Sequence, residues 1–404
     1  MNIEKFAFPT FIFFIFVKAF SGPIGMVVPL VNYSAVLIML VLLIYKWIKS
    51  LLVIPSLMVM SFLFIFYIML GTLNSGLIQT LFGVYIFIPF MFSVAYSGSI
   101  FDGLLKSSNK YFIFFAATSV IGVMYVSSFG APWLGGIMDI GSYSKVVSRD
   151  WTAGGALRNP GFTAASFDVA TLMLISFFFL LYKLRSKKRW ISYALISLVP
   201  LYPIYLTTTK TTILTYIILV LVMLLPAFVA IAFSRISIVF SVFFSYFYML
   251  PGQGQTRYDE TNTFLQRMYE TWPKAMGLLK DNYAYLIGKG IGGIGTPSLF
   301  FSPQNYNPAD NALVYLYVIS GSVSVVFVFL FLFKFLLSSF NDKYARTAYY
   351  LFAFCIFTGG VTYNLFESVF YSPFSGVLVG VIFNSRFCVM RKFNAVNSVR
   401  VKMQ

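Results

Sequence analysis

The chain contains no histidine, only two cysteines and few charged residues. Charged side chains make up 10% of its 404 residues. Without histidine, imidazole acid–base chemistry and most zinc sites are excluded. Cys355 and Cys388 lie in or beside apolar segments, and two such cysteines build neither a disulfide framework nor a metal site. We therefore expect no metal site and no cofactor.

Apolar residues dominate the rest of the sequence. They form 59% of the chain, which includes 48 phenylalanines and 27 tyrosines. Runs of about 20 apolar residues recur along its length, and each is long enough for a helix to cross a membrane. The strands of transmembrane barrels are shorter and alternate in polarity, so they do not fit these runs. The composition predicts an all-α polytopic membrane protein.

The apolar runs predict about twelve transmembrane helices of about 20 residues each. The first is expected to be a retained span, because it lacks a small-residue cleavage site. No internal repeat or low-complexity linker divides the chain, so we expect one integral unit over residues 1–404. The runs lie near residues 6–20, 24–45, 51–70, 77–97, 110–129, 165–184, 190–207, 211–233, 235–250, 311–336, 346–366 and 369–385.

Lysine and arginine predict how these helices are oriented. Basic residues concentrate in short links, such as residues 183–189, and in the C-terminal tail. Because cytoplasmic links are enriched in basic residues, we expect the N- and C-termini on the cytoplasmic side. The same alternation predicts that two long loops, 130–164 and 251–310, lie on the outer side.

The formal net charge of +17 could also indicate nucleic-acid binding. Most of the basic residues, however, stand in links between apolar runs, where topology explains them. We therefore expect no nucleic-acid partner.

Loop 251–310 is the most unusual part of the chain, because it is mixed and partly charged within an otherwise apolar sequence. A membrane protein has no structural need for so large a water-facing insert, which makes this loop a candidate for chemistry. Arg257 and Arg267 could contact phosphate, or Arg267 could pair with Glu270 on one helix face. The glycines between residues 288 and 295 lack a phosphate-loop pattern and instead predict close backbone turns.

Two further basic residues precede apolar runs on the expected outer side. Arg158 could donate several hydrogen bonds to phosphate oxygens, or it could reach lipid headgroups as an interfacial arginine. Lys210 follows Thr209 in a threonine-rich turn, where hydroxyls and an ammonium at a helix N-terminus suit an anion. A hydroxyl-capped helix start with a solvated lysine is the alternative.

Asp310 and Asn311 open the tenth apolar run. A carboxylate at this position could cap the helix. It could also act as a general base at the membrane surface and receive the proton of a sugar hydroxyl. The two roles are compatible, and the sequence leaves both open.

Four of these pieces occur in the order seen in the O-antigen ligase/polymerase superfamily of bacterial membrane glycosyltransferases. The chain resembles its Wzy-type polymerases between about Arg158 and Gly321. The similar pieces are Arg158-Asn159-Pro160-Gly161, Thr207-Thr208-Thr209-Lys210-Thr211, Arg267 ahead of Gly288-Lys289-Gly290-Ile291-Gly292, and Asp310-Asn311 ahead of Gly321.

The chain departs from the pattern of that superfamily at two positions. Lys210 stands where relatives carry arginine, and lysine lacks the bidentate fork of a guanidinium. Asp310 stands where relatives carry histidine, so any base there must be a carboxylate. This second replacement favours a polymerase over a ligase, since the ligases of the superfamily usually keep the histidine.

The resemblance implies a GT-C-like architecture in the bacterial inner membrane. It implies a polymerase that joins oligosaccharide repeat units carried on undecaprenyl diphosphate, at the periplasmic face. A chain-length regulator and other O-antigen export proteins are the partners that it implies. In this reading Asp310, Arg158 and Arg267 are catalytic, whereas Lys210, Arg257, Asn311, Thr209 and Trp272 bind substrate.

Two alternatives stay open at the level of sequence. A flippase for lipid-linked oligosaccharides also has about twelve spans, but it needs charged residues inside them to line a path for the head group. The predicted spans here carry few charges, and these lie near the span ends. An O-antigen ligase of the same superfamily is the second alternative.

Overall fold

The computed structural model describes residues 4–50, 55–106, 108–140, 143–153, 155–249, 263–279, 282–383 and 388–390. Over these residues the chain is mostly α-helical, which confirms the helical class predicted from the sequence. The first helices are α1 (Glu4–Ala19), α2 (Ser21–Val27), α3 (Val31–Ser50), α4 (Pro55–Ser75), α5 (Leu77–Ala95), α6 (Ser97–Lys106), α7 (Ser108–Phe129), α8 (Ser166–Ser186), α9 (Trp190–Leu198) and α10 (Leu201–Leu206).

The second half of the chain contributes longer helices and several short ones around its loops. A π-helix over Arg267–Thr271 connects α13 directly to α14, and a 3-10 turn covers Pro303–Asn305. The helices are α11 (Lys210–Leu224), α12 (Ala227–Met249), α13 (Thr263–Gln266), α14 (Trp272–Met276), α15 (Asn282–Ile287), α16 (Thr296–Phe301), α17 (Ala312–Ser320), α18 (Ser322–Leu337), α19 (Lys343–Gly359) and α20 (Tyr371–Phe383).

Strands occur in the described residues only as antiparallel pairs within connections. The loop between α7 and α8 holds two of these pairs, and the third joins the residues after α18 to those after α20. The pairs are β1 (Ile137–Ile140) with β2 (Tyr143–Val146), β3 (Thr152–Ala153) with β4 (Ala156–Leu157), and β5 (Ser338–Phe340) with β6 (Cys388–Met390).

Six helices of the described chain are long and apolar enough to cross a membrane. The number becomes seven if α1 and α2, which bend by 79°, form one span. Large apolar side chains such as Ile48, Phe62 and Phe240 are exposed on α3, α4 and α12. Exposed apolar surface of this extent is typical of contact with lipid or with another protein. The fold is thus compatible with that of a multi-pass helical membrane protein.

One predicted boundary between spans is wrong. The sequence suggested runs 211–233 and 235–250, but the structure separates α11 from α12 at Pro226. Proline has no amide hydrogen and restricts the residue before it, so it ends α11. Arg235 therefore lies inside α12 rather than in a link, and it donates to the Tyr350 hydroxyl at 2.5 Å.

The predicted run 311–336 also consists of two helices. Gly321 separates α17 from α18 and has a φ of 56°, a conformation that side chains disfavour. A Cβ at Gly321 would also clash with the backbone of Leu286. The break lets the end of α15 lie directly against the backbone where α17 ends.

The glycine-rich segment 288–295 packs against the end of α17. Gly290 donates its amide to the Ile319 carbonyl at the end of α17, and Ile291 donates to the Tyr67 carbonyl of α4, both at 2.9 Å. The segment thus joins two helices by its backbone, which requires residues without a Cβ at the closest contacts. It fixes the position of the residues that follow it.

A glycine pair can test this packing. A Cβ at Gly290 would clash with the backbone nitrogen of Gly71, whereas one at Gly130 would meet open space. Both glycines have positive φ, at 84° and 70°, so the backbone strain of about 1–2 kcal/mol is shared. We predict that Gly290→Ala lowers the melting temperature and the yield of monodisperse protein in detergent far more than Gly130→Ala. Equal melting curves would contradict the close packing of this segment.

Candidate functional site

A cavity of about 980 Å³ brings charged residues together from distant parts of the chain. Its walls come from the residues before α8, the turn before α11, the π-helix, the residues before α17 and the loop between α19 and α20. The charged residues that line it are Arg149, Arg158, Lys210, Arg267, Asp310 and Glu367. Four cations therefore face two carboxylates in one cavity.

The ion pair between Arg267 and Asp310 connects two of these walls. Arg267 Nε lies 3.2 Å from Asp310 Oδ2, and Arg267 Nη1 donates to the Thr362 carbonyl at 3.0 Å. Arg267 begins the π-helix, a rare element that often occurs at functional sites. Glu270 pairs with Lys274 at 2.5 Å, so the alternative ion pair between Arg267 and Glu270 is not the one formed.

The backbone around Asp310 is strained. Ala309 and Asp310 both have positive φ, at 60° and 47°, which L-residues adopt at a cost and mainly where the surroundings enforce it. Asn307 supplies that support, because its Oδ1 accepts from the Ala309 amide at 2.7 Å and its amide donates to the Thr271 carbonyl at 2.9 Å. In this turn the Asp310 carboxylate lies against Arg267.

Asn311, rather than Asp310, caps α17. Its Oδ1 accepts from the amides of Leu313 and Val314 at 2.9 and 3.3 Å, as an N-cap side chain does. Its Nδ2 donates to Ser245 at 2.9 Å. The capping role considered for Asp310 is therefore wrong, and Asp310 is left to the cavity.

Arg158 lies against an aromatic ring at the cavity wall. Its guanidinium is 4.5 Å from the centre of the Trp151 ring, and that of Arg149 is 5.2 Å from the same ring. The pairing of β3 with β4 brings Trp151 and Arg158 together, since the Arg158 amide donates to the Trp151 carbonyl at 3.0 Å. Stacking of this kind holds an arginine in place while its N–H groups stay directed at a ligand.

Arg158 is half-buried, and its Nε has no hydrogen-bond partner among the described residues. Burial lowers the pKa of Arg158 from its usual value, and the nearby cations Arg267 and Arg149 add to this effect. An incoming anion would offset the repulsion between the cations.

The part of the cavity wall at the start of α11 contains Lys210 and Thr209. Lys210 is exposed, and Thr208 before it has a φ of 57°. The Thr209 hydroxyl lies 2.5 Å from that of Thr207 and makes no capping hydrogen bond to the helix. The alternative of a hydroxyl-capped helix start is thus not observed at Thr209.

The structure brings together Arg158, Lys210, Thr209, Arg267 and Asp310, all of which line the cavity. Asn311 is fully buried at the start of α17 and is absent from the cavity wall. Arg257 lies outside the described residues.

Trp272 is also away from the cavity. Its side chain is 0% exposed, and its ring packs edge-on against Phe264 with centres 6.3 Å apart. A ring enclosed in the core cannot stack on a sugar, so the sequence-based role for Trp272 does not fit its position.

The sequence reasoning did not select Arg149 or Glu367 for the site. The position of Arg149 in the first long loop, close to Trp151 and Arg158, is a signal that could have identified it. Glu367 is an acidic residue between two predicted spans, and that position could have identified it in the same way. Tyr306 and Tyr363 complete this part of the wall.

The arrangement suits an anionic ligand. Guanidinium and ammonium groups from several segments line one cavity. A diphosphate has several oxygens that can accept hydrogen bonds from such groups. Within the part of the chain that the structure describes, no group of three or more His, Cys, Asp or Glu residues is arranged to hold a metal ion. The two carboxylates are available for proton transfer.

Comparisons of the chain with protein-family models, with curated proteins and with solved structures gave no match. Its function must therefore be inferred from the cavity and from the motifs.

Inorganic diphosphate is a direct probe of the cavity. We predict that Arg158→Gln weakens its binding about tenfold or more, because a charge-assisted hydrogen bond contributes about 1.5–3 kcal/mol. Arg267→Gln should weaken it further, since Asp310 would then face the ligand without its cation. Calorimetry on purified protein in detergent measures both.

Lys274→Gln is the matched control, because Lys274 belongs to the same loop as Arg267 but does not line the cavity. The affinity of the Lys274→Gln variant for diphosphate should equal that of the unmodified protein at the same ionic strength. Equal losses for Lys274→Gln and Arg158→Gln would indicate a general charge effect and contradict a defined site.

Proposed function

We propose that this protein is an O-antigen polymerase. It would join oligosaccharide repeat units, carried on undecaprenyl diphosphate, into long polysaccharide at the periplasmic face of the bacterial inner membrane. The observation that supports this most is the convergence of Arg158, Lys210, Arg267 and Asp310 on one cavity. These are the residues at which separate pieces of the chain resemble the superfamily, and nothing in the linear sequence requires them to meet.

The proposed reaction uses the cavity's cations for the leaving group. A hydroxyl of the acceptor glycan attacks the anomeric carbon of the donor, and the bond from that carbon to the diphosphate oxygen breaks. Arg158, Arg267 and Lys210 would stabilise the charge that develops on the departing lipid diphosphate. The hydroxyl proton passes to a carboxylate of the cavity, and Asp310 is the candidate that the sequence motif suggests.

We further propose that the protein crosses the membrane about twelve times in a GT-C-like architecture. Both termini would then lie in the cytoplasm. Helices too short to span alone, such as α17 with α18 or α9 with α10, would form broken spans. The cavity would then open at the periplasmic surface, and a chain-length regulator would act as a separate partner.

A flippase for lipid-linked oligosaccharides fits the geometry less well. Such a protein needs charged groups along a path through the membrane. The charged residues of the cavity instead stand in loops, in the π-helix and at the start of α11. A ligase would share the cavity but use a different acceptor.

Polymerisation in vitro tests the residue roles. Purified protein in lipid vesicles, supplied with lipid-linked repeat units, should yield a ladder of longer glycans. We predict that Arg158→Ala and Arg267→Ala each reduce chain extension by about 100-fold or more, as loss of an oxyanion-stabilising donor does. Lys274→Ala should extend chains at the normal rate. Normal extension by both arginine variants would refute the proposed roles.

A gene deletion distinguishes the related functions in cells. Loss of a polymerase should leave lipopolysaccharide or capsule that carries single repeat units, because export and ligation continue. A gel of surface glycans would then show one short band instead of a ladder. Disappearance of every glycan, including the single-unit form, would indicate a flippase or a ligase instead.

A further inference from the structure

Glu367 is a second carboxylate of the cavity, contributed by the loop between α19 and α20. Its two oxygens accept hydrogen bonds from the Thr296 amide at 2.9 and 3.0 Å, and Oε2 also accepts from the Thr296 hydroxyl at 2.6 Å. Gly295 makes this approach possible, since a Cβ there would clash with Glu367 Oε1. The carboxylate is therefore held in one place at the wall.

The two carboxylates differ in what neutralises them. Asp310 forms its ion pair with Arg267, and this contact positions the arginine. Among the described residues, no cation lies within ion-pair distance of Glu367, whose partners are the neutral donors of Thr296. A carboxylate without a cation accepts a proton more readily than one that must first give up an ion pair.

We propose that Glu367 is the group that receives the proton of the acceptor hydroxyl, while Asp310 positions Arg267. This inference rests on the proposed polymerase function. The acceptor oxygen forms a bond to the anomeric carbon as its proton moves to a Glu367 oxygen. The bond from the anomeric carbon to the diphosphate oxygen breaks, and its electron pair leaves with the lipid diphosphate. Glu367 then returns the proton to water or to the diphosphate.

The surroundings of Glu367 suit this role. Burial raises the pKa of Glu367 to about 7, against the opposing effect of the Thr296 hydrogen bonds. A base whose pKa lies near the working pH is both substantially ionised and able to hold a proton. The groups that face it are Asp310 before α17, Tyr315 on α17 and Tyr306 in the preceding loop.

The rate of polymerisation should depend on pH through the ionisation of Glu367. Because the carboxylate must be ionised to accept a proton, kcat/KM of the unmodified protein should rise with pH and level off above about 7. We predict that Glu367→Gln lowers kcat by about 100- to 10,000-fold and that any remaining activity lacks this rise. The assay is polymerisation of lipid-linked repeat units by full-length protein in vesicles, from pH 5.5 to 9.

Thr296→Val gives a readout that a purely structural role would not produce. The substitution keeps the shape of the side chain but removes the hydroxyl that stabilises ionised Glu367. The rise in kcat/KM should therefore move to higher pH by about half a unit to one unit. Asp310→Asn should lower kcat/KM but keep a rise with pH, moved toward lower pH because the Asp310 charge no longer raises the pKa of Glu367.

Glu270→Gln is the control, because Glu270 is a carboxylate that does not line the cavity. Its rate and pH profile should match those of the unmodified protein. An active unmodified protein, together with a folded Glu367→Gln variant that keeps its rate and its rise with pH, would overturn the role of Glu367 alone. An unmodified protein without polymerising activity would overturn the proposed function itself.

Discussion

The candidate site depends on the ion pair between Arg267 and Asp310. Charges at the edge of a membrane are costly unless they are paired, and this pair joins the π-helix to the start of α17. Through the Thr362 carbonyl the same arginine reaches the loop that carries Glu367. One contact thus fixes three of the segments that form the cavity. Breaking it would leave a half-buried charge unpaired beside a strained turn.

The pair also explains how the cavity can be cationic and still ordered. Arg158 rests on Trp151, Arg267 is neutralised by Asp310, and Lys210 stands at the exposed start of a helix. Arg158 and Arg267 are therefore held in place by different kinds of contact. A diphosphate that enters meets donors already in position, which is how preorganised sites stabilise developing charge.

The sequence could predict the helical membrane class because apolar runs of span length leave few other folds. It also singled out Arg158, Lys210, Arg267 and Asp310, which the structure brings to one cavity, since charges next to apolar runs have few structural explanations. The break at Pro226 was missed because hydropathy alone does not resolve neighbouring apolar helices.

Other residues could not be assigned, because their roles are set by packing across the fold. Trp272 and Asn311 look available in the sequence, but one is enclosed in the core and the other caps α17. Glu367 gained significance only when the fold placed it beside Thr296 and opposite the cations. Asp310 has a cation within ion-pair distance, whereas Glu367 accepts from Thr296. This difference depends on distances in the fold, which the sequence pattern does not give.

The central claim is that one cavity holds the lipid diphosphate. An experimental structure of the protein in lipid nanodiscs, with a non-hydrolysable lipid-linked repeat unit bound, tests it most directly. The account predicts diphosphate density within hydrogen-bond distance of Arg158 and Arg267, with the sugars extending toward Glu367. Density for the diphosphate elsewhere on the protein, with this cavity filled only by solvent, would contradict it.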